Sequence, residues 1–289
     1  MVPSHILDYY RQHSELTNPG IYAPLYDDLA HDMLGLVQVV QGLLIPPYTE
    51  TLKFYGITED EIDNATFGVR RMEQMLERMI RRYDAPLTIQ RPPNMRIGAI
   101  CRNFGTLLVS MLRHQGVPAR LRIGFGGYFQ SKIWFDHRIT EYWNGKRWVF
   151  ADAWVDEKRQ QAQHLTFNLL DIGPNDPFKV AGEVWQRCRS GELDPNTFGD
   201  SPTDIGMPPI RYALLHDFLA LNKCEVLGND DWGDLLTKPE GKLSQADIAF
   251  LDKVAEVTTH ADTQFGELRA LFEESEYGKE VRGQLAVVA

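Results

Sequence analysis

Residues 100–116 have the sequence ICRNFGTLLVSMLRHQG, and this stretch decides how the rest of the chain is arranged. Its apolar residues recur three and four positions apart, which is typical of an amphipathic helix and predicts one from Cys101 to His114. The pattern ends at Gly116, with Pro118 just beyond it, as expected of a helix C-terminus. Cys101 is therefore predicted at the N-terminal end, where the helix dipole and unsatisfied backbone N–H groups favour a thiolate.

A second stretch, residues 135–154, has the sequence FDHRITEYWNGKRWVFADAW. Asn144 and Gly145 separate two alternating, aromatic-rich runs, and this pattern predicts a β-hairpin with a two-residue loop. In that register His137 lies directly opposite Asp152, on the same face, with Cβ atoms about 4.5–5.5 Å apart. The carboxylate would then fix the imidazole tautomer and leave its other nitrogen to accept a proton from a thiol. A three-residue loop with a bulge would instead place the two residues on opposite faces.

Together these segments resemble the core of the transglutaminase-like superfamily, over roughly residues 90–155. The resemblance rests on four segments: GAICRNF at 98–104, LRHQGVPAR at 112–120, DH at 136–137 and ADA at 151–153. It implies a papain-like arrangement with a catalytic triad. In that triad Cys101 is the nucleophile, His137 is the general base, and Asp152 is the carboxylate that orients the histidine.

Two positions depart from the common pattern of the family. Asn103 stands where many relatives carry aspartate, and Arg138 stands where many carry a small or an aromatic residue. Neither departure removes a member of the triad, but both bear on what the site accepts. The superfamily includes transglutaminases, microbial proteases and amidases, and peptide N-glycanases. The chain as a whole resembles uncharacterised bacterial members with a helical lead-in and a helical tail.

The remaining segments predict mostly helices around this core. Residues 119–125 predict a strand with Arg120 and Arg122 pointing outward, and the glycine-rich run at 124–127 predicts a bend between strands. The predicted helices are Tyr26–Leu44, Phe67–Tyr83, Lys179–Ser190, Ile210–Leu221, Ser244–Val257 and Phe265–Glu274.

These predictions combine into an α+β fold in which an antiparallel sheet packs on the cysteine helix. The expected organisation is a helical N-terminal region at 1–85, a transglutaminase-like catalytic core at 86–160 and a mostly helical C-terminal extension at 161–289, packed as one compact unit.

Four residues are candidates for substrate binding. The proline-rich loop at 84–99 leads to the cysteine and is expected to line the cleft, which makes Asn94 and Arg96 candidates. Asn103, two positions after the cysteine, and Trp134, just before the histidine strand, are the others.

Composition and sequence patterns limit which binding partners and which cellular locations are expected for the protein. A net charge of −10 argues against a nucleic-acid partner, whose binding requires basic surface. The three cysteines are widely spaced, with neither a disulfide framework nor the CxxC spacing of metal sites. The N-terminus shows no secretory pattern, and no apolar run is long enough to span a membrane. These features predict a cytoplasmic protein without a membrane partner.

The predicted function is cysteine-dependent acyl transfer, in which an amide bond is cleaved or formed through a thioester at Cys101. Water as the second substrate gives an amidase or peptidase, which is slightly favoured, and an amine gives an acyltransferase. The expected substrate is a peptide, protein or small-molecule amide or amine, and this chemistry requires no metal or organic cofactor. Two alternatives stay open: an inactive binding or scaffold module on the same fold, and a peptide N-glycanase-like amidase. The oligomeric state is also left open.

Overall fold

The structure, a computed structural model, describes residues 2–63, 68–129 and 132–288. Its mixture of helices and strands confirms the predicted α+β class. The helices within these ranges are α1 (Ser4–Arg11), α2 (Met33–Leu43), α3 (Thr49–Lys53), α4 (Met72–Arg82), α5 (Cys101–His114), α6 (Glu157–Ala162), α7 (Ala181–Arg189), α8 (Met207–Leu221), α9 (Asp234–Thr237), α10 (Gln245–Thr259), α11 (Phe265–Glu274) and α12 (Glu276–Val288). The strands within the same ranges are β1 (Leu44–Ile45), β2 (Ile97–Gly98), β3 (Ala119–Gly126), β4 (Trp134–Trp143), β5 (Trp148–Ala151), β6 (Phe178–Val180), β7 (Phe198–Ser201) and β8 (Asp204–Ile205).

Six strands of the described part of the chain form one sheet, in the order β6-β3-β4-β7-β8 with β5 also paired to β4. Strand β6 runs antiparallel to β3 and β5 runs antiparallel to β4, whereas β7 runs parallel to β4. The first two residues of β4 pair with β7 and its last four pair with β5. β4 is therefore the strand that carries His137 and then begins the hairpin.

The chain divides into two compact units. The first, which we call the cysteine unit, comprises Leu7–Leu121 and Ile139–Gly173 and contains Cys101. The second, which we call the histidine unit, comprises Met1–Ile6, Arg122–Arg138 and Pro174–Ala289 and contains His137. Strands β3 and β4 each contribute residues to both units.

Helix α5 lies in the core of the cysteine unit. Its apolar stripe is buried, α2 and α4 pack beside it, and its predicted bounds are confirmed. The helix ends because Gly116 adopts a left-handed φ of +77°. The N–H groups of Val117 and Gly116 then donate to the carbonyl oxygens of Leu112 and Arg113 at 2.9 and 3.0 Å. This is a Schellman motif, which explains why a glycine occupies the position after the helix.

Other predicted helices are present with altered ends. α2 begins at Met33 rather than Tyr26, because Asp32 caps it by accepting a hydrogen bond from the Gly35 N–H at 2.8 Å. The predicted start of α4 at Phe67 lies outside the described residues. The predicted helices of the histidine unit correspond to α7, α8, α10 and α11, whereas α12 has no counterpart among the predictions.

Strand β3 differs from its prediction, because both of its faces are buried. Arg120 and Arg122 were expected to point outward, yet both are buried in ion pairs, with Glu141 and Asp217 respectively. The glycine-rich run begins inside the strand, where a Cβ on Gly124 would lie 2.1 Å from a carbonyl oxygen of β6. Glycine at that position therefore permits close approach of two strands, and the predicted bend is wrong there.

The core of the histidine unit includes helix α8. Helices α7 and α10 pack against it, and α8 is buried over most of its length. Three polar or charged side chains of α8, namely Arg211, His216 and Asp217, are buried with it. Of the helices in the described ranges, none is both long and apolar enough to cross a membrane.

Candidate active site

Cys101 is the first residue of α5, which confirms the predicted position at the helix N-terminus. Ile100 precedes it as an extended N-cap, and its N–H donates to Asn103 Oδ1 at 3.3 Å. The first turn of a helix presents backbone N–H groups and the positive end of the dipole, which stabilise a thiolate or an oxyanion. The residue is partly exposed, so a reagent can reach it.

The other two cysteines have different surroundings. Cys188 on α7 and Cys224 beyond α8 are buried, and no disulfide links any two of the three cysteines. Burial raises the pKa of Cys188 to about 11 and the pKa of Cys224 to about 12. Both are therefore poor nucleophiles at neutral pH, because the thiolate is the reactive form.

Cysteine labelling tests this difference. At pH 7.5 we expect iodoacetamide to alkylate Cys101 about 100-fold faster or more than Cys188 or Cys224, because raised pKa values and burial lower the fraction of reactive thiolate. Mass spectrometry of proteolytic peptides over time measures the three rates. In urea-unfolded protein, the control, the rates should converge. Faster labelling of Cys188 or Cys224 in the native protein would contradict the assignment.

His137 lies in the N-terminal half of β4 and is buried. Two aromatic rings meet it edge-on, with the Phe129 centroid 4.9 Å and the Tyr128 centroid 5.9 Å from the imidazole centroid. Packing of this kind holds the imidazole in one orientation, which a general base requires.

Asp152 follows the last residue of β5 and is buried in the cysteine unit. Its backbone N–H donates to the carbonyl oxygen of Leu169 at 2.8 Å, and its Oδ1 accepts from the Trp154 N–H at 2.8 Å. The carboxylate is therefore fixed by the backbone that carries it away from the strand.

The register of the hairpin differs from the predicted one. The ladder starts with Trp143 opposite Trp148 and encloses a four-residue loop, so the predicted direct pairing of His137 with Asp152 is wrong. The shift amounts to two residues, and continuing the ladder by one pair places Asp152 opposite Ile139. Because side chains alternate along a strand, an even shift leaves each residue on its predicted face.

Asn144 explains the longer loop. Its Oδ1 accepts from the N–H groups of Lys146 and Arg147 at 3.0 and 2.9 Å, and its own N–H donates to the Arg147 carbonyl oxygen at 3.1 Å. The side chain thus organises a four-residue turn in which Gly145 has a φ of +92°. An Asn-Gly pair suits this turn as well as a two-residue loop, so the sequence pattern did not separate the two.

Three of the predicted substrate-binding residues lie in distinct surroundings. Asn103 is buried in the first turn of α5, and its Nδ2 has no hydrogen-bond partner among the described residues. Asn94 is exposed on a 3₁₀ turn, where its carbonyl oxygen accepts from Arg82. Trp134 belongs to the histidine unit and packs on Phe198, with centroids 5.9 Å apart. Their roles in substrate binding stay predictions.

The cysteine unit contains a cleft of about 1000 Å³, which we call the Arg96 cleft. Arg96 and Asp152 both line it, together with residues of α2 and α6. Within the described residues, the lining of the cleft does not include Cys101, Asn94 or Asn103. The structure therefore brings one predicted substrate-binding residue and the predicted triad carboxylate to the same cavity, which is large enough for a small organic ligand.

A buried polar cluster beside His137 was not predicted. Arg138 donates to Asp136 Oδ2 and to His216 Nδ1, both at 3.2 Å, and His216 Nε2 lies 3.3 Å from the Asp230 carbonyl oxygen. Because a guanidinium only donates, Nδ1 accepts and Nε2 carries the proton, so His216 is neutral. His216 lies 78 positions from Arg138, and no local pattern indicates their contact.

We expect His216 to make stability fall as the pH drops below about 6.5. Burial, reinforced by the charge of Arg138, holds the pKa of His216 well below its ordinary value. The unfolded chain then binds a proton that the native state does not, which favours unfolding by about 1.4 kcal/mol per pH unit below 6.5. Urea unfolding at pH 7.5 and 5.5 should show a weaker pH dependence for His216→Asn than for the exposed control His31→Asn. Equal dependence in both variants would contradict this role.

The described residues offer no ready metal site, because nowhere in them do three histidine, cysteine, aspartate or glutamate side chains group as ligands. Protein sites for zinc use three or four such ligands.

Comparison with known proteins gives a family match. Residues 65–153, which include Cys101, His137 and Asp152, match the model of the transglutaminase-like superfamily. A crystal structure named "Putative Cysteine Protease from Cytophaga hutchinsonii" aligns with 51% of this chain and 41% of its own, at 14% identity and a TM-score of 0.31. The aligned part is thus less than half of that protein. No curated protein matches the chain.

Proposed function

Because residues 65–153 of this chain belong to the transglutaminase-like superfamily, we propose that the protein is a cysteine-dependent acyl-transfer enzyme. The observation that carries the proposal is the position of Cys101, a partly exposed cysteine on the first residue of a 14-residue helix. A structural cysteine is usually buried, as Cys188 and Cys224 are.

The first half of the proposed reaction forms a thioester. The Cys101 Sγ attacks the carbonyl carbon of an amide while its proton passes to His137. The carbonyl oxygen becomes an oxyanion, which the backbone N–H of Cys101 at the helix N-terminus stabilises. The C–N bond then breaks, His137 returns the proton to the departing amine, and the acyl group stays on the sulfur.

Asp152 is proposed to orient His137 and to stabilise its protonated form. Two observations support this role. The first is that the Trp154 backbone N–H donates to Asp152 Oδ1 at 2.8 Å, which helps to fix the position of the carboxylate. The second is the strand register: continuing the β4–β5 ladder by one pair beyond Thr140 and Ala151 would put Asp152 opposite Ile139. By alternation along β4, His137 lies on the same face of the strand as Ile139.

The second half of the reaction decides the enzyme class. Water attacking the thioester releases an acid, whereas a primary amine forms a new amide, and in both cases the C–S bond breaks and the sulfur takes back a proton. The proposed substrate is a peptide, protein or small-molecule amide, with water favoured over an amine as the acceptor.

A product analysis tests the proposal. The protein is incubated with peptides that carry side-chain and main-chain amides, with and without cadaverine, and the products are identified by mass spectrometry. Hydroxylamine traps an acyl-thioester as a hydroxamate, so a hydroxamate that requires Cys101 would support the mechanism. Acid products indicate a hydrolase, and cadaverine adducts indicate an acyltransferase. The absence of acid, adduct and hydroxamate across the set would favour the binding-module alternative.

A further inference from the structure

Arg96 is a buried cation that faces a cavity. It follows a 3₁₀ turn at Pro93–Met95, its residue surface is only 5% exposed, and it lines the Arg96 cleft. Its Nε donates to the carbonyl oxygen of Arg91 at 3.1 Å, and its guanidinium carbon lies 5.4 Å from the centroid of the Tyr55 ring. These two contacts hold the guanidinium in place at the cleft.

The guanidinium of Arg96 forms no ion pair within the described part of the protein. No described aspartate or glutamate oxygen lies within 4.0 Å of its nitrogens. Within the described residues, the hydrogen bond of its side chain is the one that Nε donates to the Arg91 carbonyl oxygen. Neither Nη atom is sealed from solvent. Burial lowers the pKa of Arg96. Burying a cation costs free energy unless a partner compensates it.

Arg91, its neighbour in the same loop, shows what a structural arginine looks like here. It is equally buried, but its Nη atoms donate to the backbone carbonyl oxygens of residues 83, 85, 86 and 89. The Nη donors of Arg91 are therefore used in hydrogen bonds that hold the loop together. Arg96 leaves both Nη atoms available at the cleft, so its charge is placed for a ligand rather than for the fold.

The other charges of the cleft limit what that ligand can be. Lys158 is the second cation that lines it, and the carboxylates of Asp152, Asp156 and Glu157 also line it. Three negative side chains would repel a phosphate dianion more strongly than a single carboxylate. The planar guanidinium fork of Arg96 also matches a carboxylate in a bidentate geometry.

We propose that the Arg96 cleft binds a small molecule through a single carboxylate group, with the Arg96 guanidinium as the principal contact. Neutral amides of glutamine and asparagine make up much of the remaining polar lining, and they suit the uncharged part of such a molecule. Asp152, which is proposed to orient His137, also lines the cleft, but the proposed nucleophile Cys101 does not, so carboxylate binding at Arg96 can be tested apart from the catalytic thiol.

A binding experiment on the full chain tests the proposal. Monocarboxylates of increasing size, from acetate and N-acetylglycine to hippurate, are titrated by isothermal calorimetry and ligand-observed NMR, each beside its neutral amide and beside inorganic phosphate. We expect at least one carboxylate to bind ten-fold or more tightly than its amide and more tightly than phosphate. If no carboxylate in the series binds more tightly than its amide, or if phosphate binds most tightly, the proposal is overturned.

Variants locate the binding. Arg96→Gln is expected to weaken carboxylate binding at least ten-fold and to leave binding of the amides unchanged. Arg96→Lys keeps the positive charge but lacks the planar guanidinium fork, so it should retain part of the carboxylate affinity. This variant replaces Arg96→Gln in the test if the glutamine variant folds poorly. Arg81→Gln removes the same charge from an exposed position and is the matched control. Unchanged carboxylate affinity in both Arg96 variants would overturn the assignment. Equal results in a Cys101→Ala background separate this site from the proposed enzyme activity.

Discussion

Replacing Cys101 with alanine is expected to lower amide cleavage or transfer by about 10⁴-fold or more, while the protein still folds. The large factor follows because the thiolate forms the covalent intermediate, and an enzyme without its nucleophile retains only what binding and oxyanion stabilisation supply. Alanine is tolerated at the start of a helix, so α5 should keep its structure. Steady-state rates on the best amide from the product analysis, with circular dichroism as a folding check, measure the effect.

Cys188→Ala and Cys224→Ala are the matched controls for this experiment. Each removes one thiol, but both thiols are buried and their raised pKa values keep them protonated at neutral pH. We expect both variants to retain wild-type activity, apart from a modest loss of stability from the cavity. Activity of the Cys101→Ala protein within ten-fold of wild type would contradict the role of Cys101 as nucleophile.

The second large effect concerns stability. Asp217→Ala is expected to lower the free energy of unfolding by about 3–5 kcal/mol, because it removes the buried carboxylate that pairs with the buried Arg122 guanidinium. In the histidine unit Asp217 Oδ1 accepts from Arg122 Nε at 3.0 Å and from the Ile123 N–H at 2.8 Å, and its Oδ2 accepts from Arg122 Nη2 at 3.1 Å. The loss is a large fraction of the about 5–15 kcal/mol that stabilises a typical protein. Urea unfolding measures it.

Asp171→Ala is the control for the Asp217 variant. Asp171 also accepts two hydrogen bonds from one arginine, Arg147, both at 2.7 Å, but that side chain is 41% exposed where the side chain of Asp217 is fully buried. Solvent screens the exposed pair, so we expect a loss of about 0.2–1 kcal/mol. The double variant Arg122→Met/Asp217→Leu removes both charges and should recover part of the stability lost in Asp217→Ala. Equal losses in the Asp171 and Asp217 single variants would show that burial does not decide the strength of these pairs.

Helix α5 could be predicted from sequence because everything that defines it lies within residues 100–116. The apolar stripe selects the helix, and Gly116 ends it through its left-handed backbone. The N-terminal position of Cys101 follows from the same local pattern. The α+β class was predictable for a similar reason, since alternating aromatic-rich runs predict strands and apolar stripes predict helices, and both patterns are contained in short stretches of sequence.

The burial of strand β3 could not be predicted, because it depends on distant partners. Arg120 and Arg122 alternate with apolar residues as exposed residues of a half-buried strand would, and pairing with distant acids is what compensates much of the cost of burying their charges. Glu141 lies 21 positions from Arg120, and Asp217 lies 95 positions from Arg122. The direction of a charged side chain is thus decided by contacts that no local window contains.

The site was predicted unevenly for the same reason. Family resemblance suggested Cys101, His137 and Asp152, and the local patterns placed the first two on a helix and a strand. The hairpin register failed because one side chain, Asn144, lengthened the loop. The Arg96 cleft forms only where residues of α2, α6 and the loop before α5 come together, and no pattern within any one of those segments indicates a cavity.

The central claim is that Cys101 is an activated nucleophile whose reactivity depends on His137. Its most direct test is the pH dependence of Cys101 alkylation by iodoacetamide in wild type and in His137→Ala, with His216→Asn as a control for loss of a buried histidine. The account predicts that the wild-type rate rises with a midpoint well below the value of about 8.5 for an ordinary thiol, and that the midpoint moves upward only in His137→Ala. A midpoint at or above the ordinary value in wild type, or the same midpoint in wild type and His137→Ala, would contradict it.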